Sequence, residues 1–176
     1  MVHAINIRRP TTLTTSDDLG SIEKRGDEYE AVLERTLDHN LPAVWVMLTE
    51  PDKMEEWLAS GEIKLSKGGG AKLNFVDSGI VIDSTVTEFD PPHVLEYSWS
   101  SCGEPLRPVR WELEATEDGS RLRLTLRNPA DEDVARSCAG WEAHLMVLLA
   151  AIESVPIKFP FEHFMETREA YNELMA

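Results

Sequence analysis

Residues 131–152 read DEDVARSCAGWEAHLMVLLAAI, and this stretch decides the fold. Val134, Cys138, Trp141, Leu145, Leu148 and Ile152 recur at steps of four, three, four, three and four. That spacing follows one face of an α-helix, whose period is about 3.6 residues. A helix of roughly 20 residues is about 30 Å long. Asp131, Glu132 and Asp133 stand at its start, where the positive end of the helix dipole favours negative charge. Pro156 lies just past its end. A helix with one apolar stripe needs an apolar surface to lie on.

The residues upstream supply that surface. Residues 28–38 alternate, with Tyr29, Ala31, Leu33 and Leu37 on one face and Glu28, Glu30, Glu34, Thr36 and Asp38 on the other. A period of two predicts a half-buried strand, on which Arg35 is the charged exception to the apolar face. Leu41-Pro42 opens a short helix carrying Val44, Trp45 and Leu48. Thr49-Glu50-Pro51 stops it and starts another through Met54, Trp57 and Leu58, with Thr49 expected as the N-cap. Six further strands follow, separated by turn residues: 62–65, 72–76 with Phe75, 79–89, and those centred on Tyr97, Trp111 and Leu124. On the 79–89 strand, Ile80, Ile82 and Val86 share a face with Ser84 and Glu88. Arg121, Arg123 and Arg127 alternate with Leu122, Leu124 and Leu126, and are expected to face Glu112 and Glu114 across strands.

The expected architecture is therefore α+β: a curved seven-stranded antiparallel sheet packed on a long C-terminal helix, with two short helices after the first strand. This is a helix-grip arrangement. Residues 28–155 make up that domain. Residues 1–27, sparse in apolar side chains, are expected to be an N-terminal extension. Residues 156–176 form a C-terminal helical extension, with a helix over 162–175 and Phe161, Phe164, Met165 and Leu174 as its packing residues.

Composition narrows the function. The 176 residues carry 17 Lys plus Arg against 32 Asp plus Glu, a formal charge of −15. Phosphate backbones and anionic membrane surfaces repel such a chain, so nucleic acid and membrane are not expected partners. The longest apolar run, the eight residues 145–152, is far short of the roughly 20 that span a bilayer. The first residues lack the apolar stretch of a signal peptide, and a cytoplasmic location is expected. Two cysteines, Cys102 and Cys138, make no disulfide scaffold. The five histidines show no zinc-site spacing, and neither a metal nor another cofactor is expected. Residues 67–72, KGGGAK, lack the spacing and the following helix of a phosphate loop and are expected to be a hairpin turn.

Residues 35–45 (RTLDHNLPAVW), 48–57 (LTEPDKMEEW), 86–92 (VTEFDPP), 95–99 (LEYSW) and Gly140-Trp141 occur in an order and spacing that resembles one family. It is the activator of heat-shock protein ninety ATPase homologue-like group, within the START-like (SRPBCC) superfamily. The resemblance covers about residues 28–155. It implies an elongated cavity between sheet and long helix that relatives use for lipids, hormones, polyketides or other apolar molecules. It carries over no catalytic residue. Chaperone binding is not expected, because the longer activator has an additional N-terminal domain with no counterpart in this sequence.

The candidate ligand-binding residues are Arg35, Trp57, Phe75, Ser84, Glu88, Trp99, Trp111, Trp141 and His144. All five tryptophans fall on inward positions, either as core or as cavity lining. Arg35 and Glu88, charged on apolar faces, each need a partner, whether structural or on a ligand. Ser84 adds a hydroxyl. His144, at the edge of the helix stripe, is either a solvated flank or a proton-transfer group. Cys138 is a small buried apolar residue in this reading.

The leading expectation is binding of a small, mostly apolar molecule. One rival is a cyclase- or hydrolase-type enzyme in the same cavity, using Glu88 or His144. The other is a protein-interaction module, a homodimer or a chaperone-linked one, through Phe159, Phe161, Phe164, Met165 and Tyr171.

Overall fold

A computed structural model of the chain describes residues 19–176; of the expected extension over residues 1–27, residues 1–18 lie outside the described residues. The elements run β1 (Ser21–Arg25), β2 (Glu28–Leu37), α1 (Leu41–Thr49), α2 (Pro51–Trp57), β3 (Ser60–Ile63), β4 (Gly70–Phe75), β5 (Ile80–Asp90) and β6 (Val94–Ser98). They continue with β7 (Pro108–Thr116), β8 (Gly119–Pro129), α3 (Val134–Ile152) and α4 (Phe161–Met175). The strands form one antiparallel sheet in the order β1-β2-β8-β7-β6-β5-β4-β3.

The described residues thus hold eight strands where seven were expected. The extra one is β1, inside the supposed extension. Its sequence, SIEKR, has one apolar residue, so no alternation announces it. It exists because β2 offers an unpaired backbone edge, and edge pairing needs no side-chain pattern. Arg25 pairs with Glu28 across the two-residue turn Gly26-Asp27, and Gly26 takes the positive φ of 64° that such a turn requires.

The inward face of the sheet is apolar, with Leu33, Leu73, Ile82, Leu95, Val109, Trp111, Leu122 and Leu124 all buried. On β5 the alternation breaks. Val86 pairs with Tyr97, but Glu88 pairs with Glu96, leaving Thr87 as an extra residue. Such a bulge shifts every following side chain to the other face. Glu88 is consequently exposed and Phe89 packs against the core. The expectation that Glu88 lies inward is corrected by that single inserted residue.

The helices form as their sequences dictate, with different caps. Asn40 caps α1, its side-chain oxygen accepting from the Ala43 N–H at 3.0 Å. Thr49 caps nothing: it is buried inside the end of α1, and its hydroxyl donates to the Trp45 carbonyl at 2.8 Å. Asp133 caps α3 by accepting from Arg136 N–H at 2.9 Å.

The long helix covers the expected residues and buries the expected stripe of Val134, Cys138, Trp141, Leu145 and Leu148. It also buries a second face, Ala135, Ala139 and Glu142, because α4 packs back upon it. The contact face of α4 is not the predicted one. Phe161, Met165 and Leu174 are exposed, whereas Thr167 and Tyr171 are fully buried.

On the outer face of the sheet the arginines divide between two neighbouring strands. Arg121 reaches Glu114 at 3.5 Å as expected, but Arg127 reaches Glu30 at 3.2 Å and Arg123 lies 3.9 Å from Glu34. No helix among the described residues is long and apolar enough to cross a membrane.

Candidate functional site

Two constellations occupy the space between the sheet and the C-terminal helices. The first is aromatic. Trp111 comes from β7, Trp57 from the end of α2, Trp141 and His144 from α3, Phe75 from the end of β4, and Trp99 follows β6. The ring of Trp141 is the hub, with its centroid 5.6 Å from Trp111, 4.7 Å from Trp99 and 5.8 Å from His144. Trp57 stands edge-on to Trp111 at 5.7 Å, and Phe75 edge-on to Trp99 at 5.7 Å. Edge-to-face geometry is what the ring quadrupole favours. Trp57 is fastened further, its indole N–H donating to the Met47 carbonyl at 2.7 Å.

Trp99 and Trp111 therefore both touch Trp141, so protein fills the space directly beneath its ring. The cluster changes character along its length. Trp57, Trp111 and Trp141 are buried, while Phe75, Trp99 and His144 are only partly covered and Phe159 is exposed. Phe159 lies in the non-helical segment between α3 and α4, with its ring 5.2 Å from His144 and 6.0 Å from Phe164. The rings thus run continuously from the core to the surface.

His144 is no solvated flank. Its ring lies among Phe75, Trp141 and Phe159, and its Nδ1 is 3.3 Å from the Trp57 carbonyl. Burial holds its pKa below the ordinary histidine value, outweighing the carbonyl contact.

The second constellation is polar and centres on Glu142, which the sequence reading did not single out. Its carboxylate is buried among three donors. Arg35 forms an ion pair with Oε2; the Tyr171 hydroxyl donates to Oε1 at 2.7 Å; and the Gly20 N–H lies 3.3 Å from Oε1. The Gly20 N–H also donates to the Tyr171 oxygen at 2.9 Å. Glu142 is thus the partner Arg35 required. Burial, then the adjacent carboxylate, pushes the Tyr171 hydroxyl well above its usual pKa. A signal existed: Ala135, Ala139 and Glu142 share a helical face, but that face acquires meaning only once α4 covers it.

The remaining candidates stand apart. Ser84 donates to the Ser98 carbonyl at 2.6 Å, so its proton serves to hold β5 to the end of β6. Glu88 faces solvent. A surface cleft of about 430 Å³ is lined by Asp83, Ser84, Glu96 and Cys102 among others, and one of about 690 Å³ by Gly20, Glu34, Arg35 and Arg123. Neither cleft touches a tryptophan.

The two thiols differ sharply. Cys138 is fully buried, and burial followed by the Glu142 charge pushes its pKa up to about 12, whereas Cys102 is exposed. The thiolate is the reactive form. One equivalent of Ellman's reagent is expected to react with the native protein at pH 8, and the second only in denaturant. Rapid reaction of both would contradict this burial.

An antiparallel sheet closed by a long C-terminal helix, with two short helices after its second strand, defines a helix-grip protein. The profile of the family described as Activator of Hsp90 ATPase homolog 1-like protein matches residues 38–153, which run from the end of β2 through α3. The chain belongs to that family.

Its fold is shared with CalU16 from Micromonospora echinospora, at a TM-score of 0.74 and 23% identity over 88% of this chain and 96% of that one. It is shared with the conserved protein of unknown function EF2215 from Enterococcus faecalis, at 0.72 and 19% identity over 88% and 91%. DynU16, from the dynemicin biosynthetic locus, aligns at 0.65 and 23% identity over 75% of this chain and 49% of that one. None of the curated proteins compared with the chain matches it.

Proposed function

We propose that the protein binds a small, mostly apolar molecule at the outer end of the aromatic cluster, among Phe75, Trp99, Trp141 and His144. The observation that carries this reading is the unbroken line of ring contacts from Trp111 to the exposed Phe159. Aromatic faces provide apolar area at little entropic cost, and they suit flat ligands. Phe159 covers His144 from a segment without helix or strand, so the ligand enters where that ring now rests. The helix-grip fold supports the reading, as does the place of DynU16 in a biosynthetic locus. Of the rivals, the enzyme loses Glu88 as its acid or base and keeps only His144. The interaction module loses Tyr171 as a contact residue, since its hydroxyl is sealed against Glu142.

The test is an NMR titration with 1-methoxynaphthalene. The indole N–H resonances of Trp99 and Trp141 are expected to shift saturably. That of Trp45, which packs on Phe89 instead, is expected to stay in place. Trp99→Ala removes one stacking face and should weaken binding about fivefold, the size of a single aromatic contact. Absence of any saturable shift at these indoles would overturn the proposal.

A further inference from the structure

The chemistry of the bound molecule follows from the one side chain of the ring cluster that can accept a hydrogen bond, since its indoles carry only N–H donors. His144 presents Nδ1 to the Trp57 carbonyl at 3.3 Å. A carbonyl oxygen can only accept, so in the neutral ring the hydrogen sits on Nδ1. Nε2 is then left with a lone pair and no proton. Among the described residues nothing donates to Nε2, since the Trp57 carbonyl is the sole hydrogen-bond partner of the ring. Nor is Nε2 sealed from outside: the only fully buried side-chain polar atom without a partner, among those residues, is Arg168 Nε. Around the imidazole stand the rings of Phe75, Trp141 and Phe159, at 6.0, 5.8 and 5.2 Å. With no donor brought to it by the protein, Nε2 is left to water or to a donor carried by a bound molecule.

We propose that His144 Nε2 receives a hydroxyl of the bound molecule, so that the site selects apolar, ring-bearing ligands that carry a phenol or an alcohol. This rests on the placement of the ligand proposed above and adds its hydrogen-bonding requirement. A ligand with only ether or carbonyl oxygens sets its lone pairs against that of Nε2. A hydroxyl there supplies the donor that the protein does not bring to Nε2. Burial, which lowers the pKa of His144, keeps the imidazole in the neutral, accepting form at neutral pH.

Two probes that share one ring system separate the ideas: 1-naphthol, which donates, and 1-methoxynaphthalene, which does not. Both are titrated into the full chain, and the ratio of their affinities is the readout. In His144→Phe, which keeps a flat ring and removes the acceptor, the naphthol preference is expected to fall three- to tenfold, about the strength of one neutral hydrogen bond. In His144→Gln, whose side-chain oxygen replaces Nε2 as acceptor, the preference should be retained.

A measurement on the unaltered protein stands independently of these variants. The ¹⁵N resonance of His144 Nε2 should shift upfield with 1-naphthol and stay unmoved with 1-methoxynaphthalene. If both probes bind but the Nε2 resonance and the affinity ratio ignore the hydroxyl, the inference is wrong and the binding site stands. If neither probe binds saturably, the site itself is wrong.

Discussion

Trp141→Ala is expected to cost about 4 kcal/mol of stability, the loss typical of a large aromatic removed from a core. The indole is nearly inaccessible and is the hub through which Trp99, Trp111 and His144 meet. Its neighbours are rings on β7, on α3 and at the end of β6, and such rings do not collapse easily into a vacated volume. A cavity therefore remains, and cavity volume adds to the cost of lost burial. For a chain of this size each kcal/mol moves the melting temperature by about 2–4 °C, so a fall of roughly 8–16 °C is expected. The cavity would be apolar and dry, which is the kind that accepts small aromatic molecules. Added indole should raise the melting temperature of the variant by more than it raises that of the parent protein. A loss under about 1.5 kcal/mol in urea denaturation would show that the rings repack, and that the cluster is softer than its contacts imply.

The second large effect belongs to Glu142. Glu142→Ala strips the buried carboxylate from Arg35, Tyr171 and the Gly20 N–H together. Breaking a buried ion pair from one side costs about 3–5 kcal/mol when the surviving charge is stranded. The Arg35 side chain is 23% exposed and recovers some hydration, so the lower end, about 3 kcal/mol, is expected here. Removing both charges is a different experiment. Arg35→Met with Glu142→Leu leaves no orphaned ion, and should return much of the loss, because replacing such a pair by apolar groups of similar size is often close to neutral. Hydrogen exchange reports the local consequence. Gly20 and the amides of β1 should lose protection in Glu142→Ala before the centre of the sheet does, since the carboxylate is what fastens the start of β1 to α3 and α4. Equal loss across all strands would mean that Glu142 supports the whole fold rather than this corner.

These two sites show how far the residues could be read in one dimension. Arg35 was legible as a charge on an apolar strand face, and the need for a partner followed. That the partner is Glu142 was not, because 107 positions separate them and only the docking of α4 makes the second face of α3 an interior. The tryptophans were legible as inward residues, since period two and period 3.6 orient each one locally. Their mutual contact was not, because it depends on how closely α3 approaches β7. His144 sat at the edge of the stripe, where periodicity leaves burial undecided; Phe159, folding back from beyond the helix, decided it.

What the amino-acid order alone determined is what local physics controls: the span of α3, the alternating faces of most strands, the turns at glycine and proline, and hence the helix-grip class. Tertiary structure decided the rest. One bulged residue, Thr87, turned Glu88 from the core to the solvent and Phe89 from the solvent to the core. Strand β1, with no pattern of its own, formed on an edge that β2 exposed. Both outcomes arise from backbone pairing with a neighbouring strand, an interaction that side-chain order does not encode, whereas the direction in which a side chain points within a regular helix or strand is set by its own backbone period.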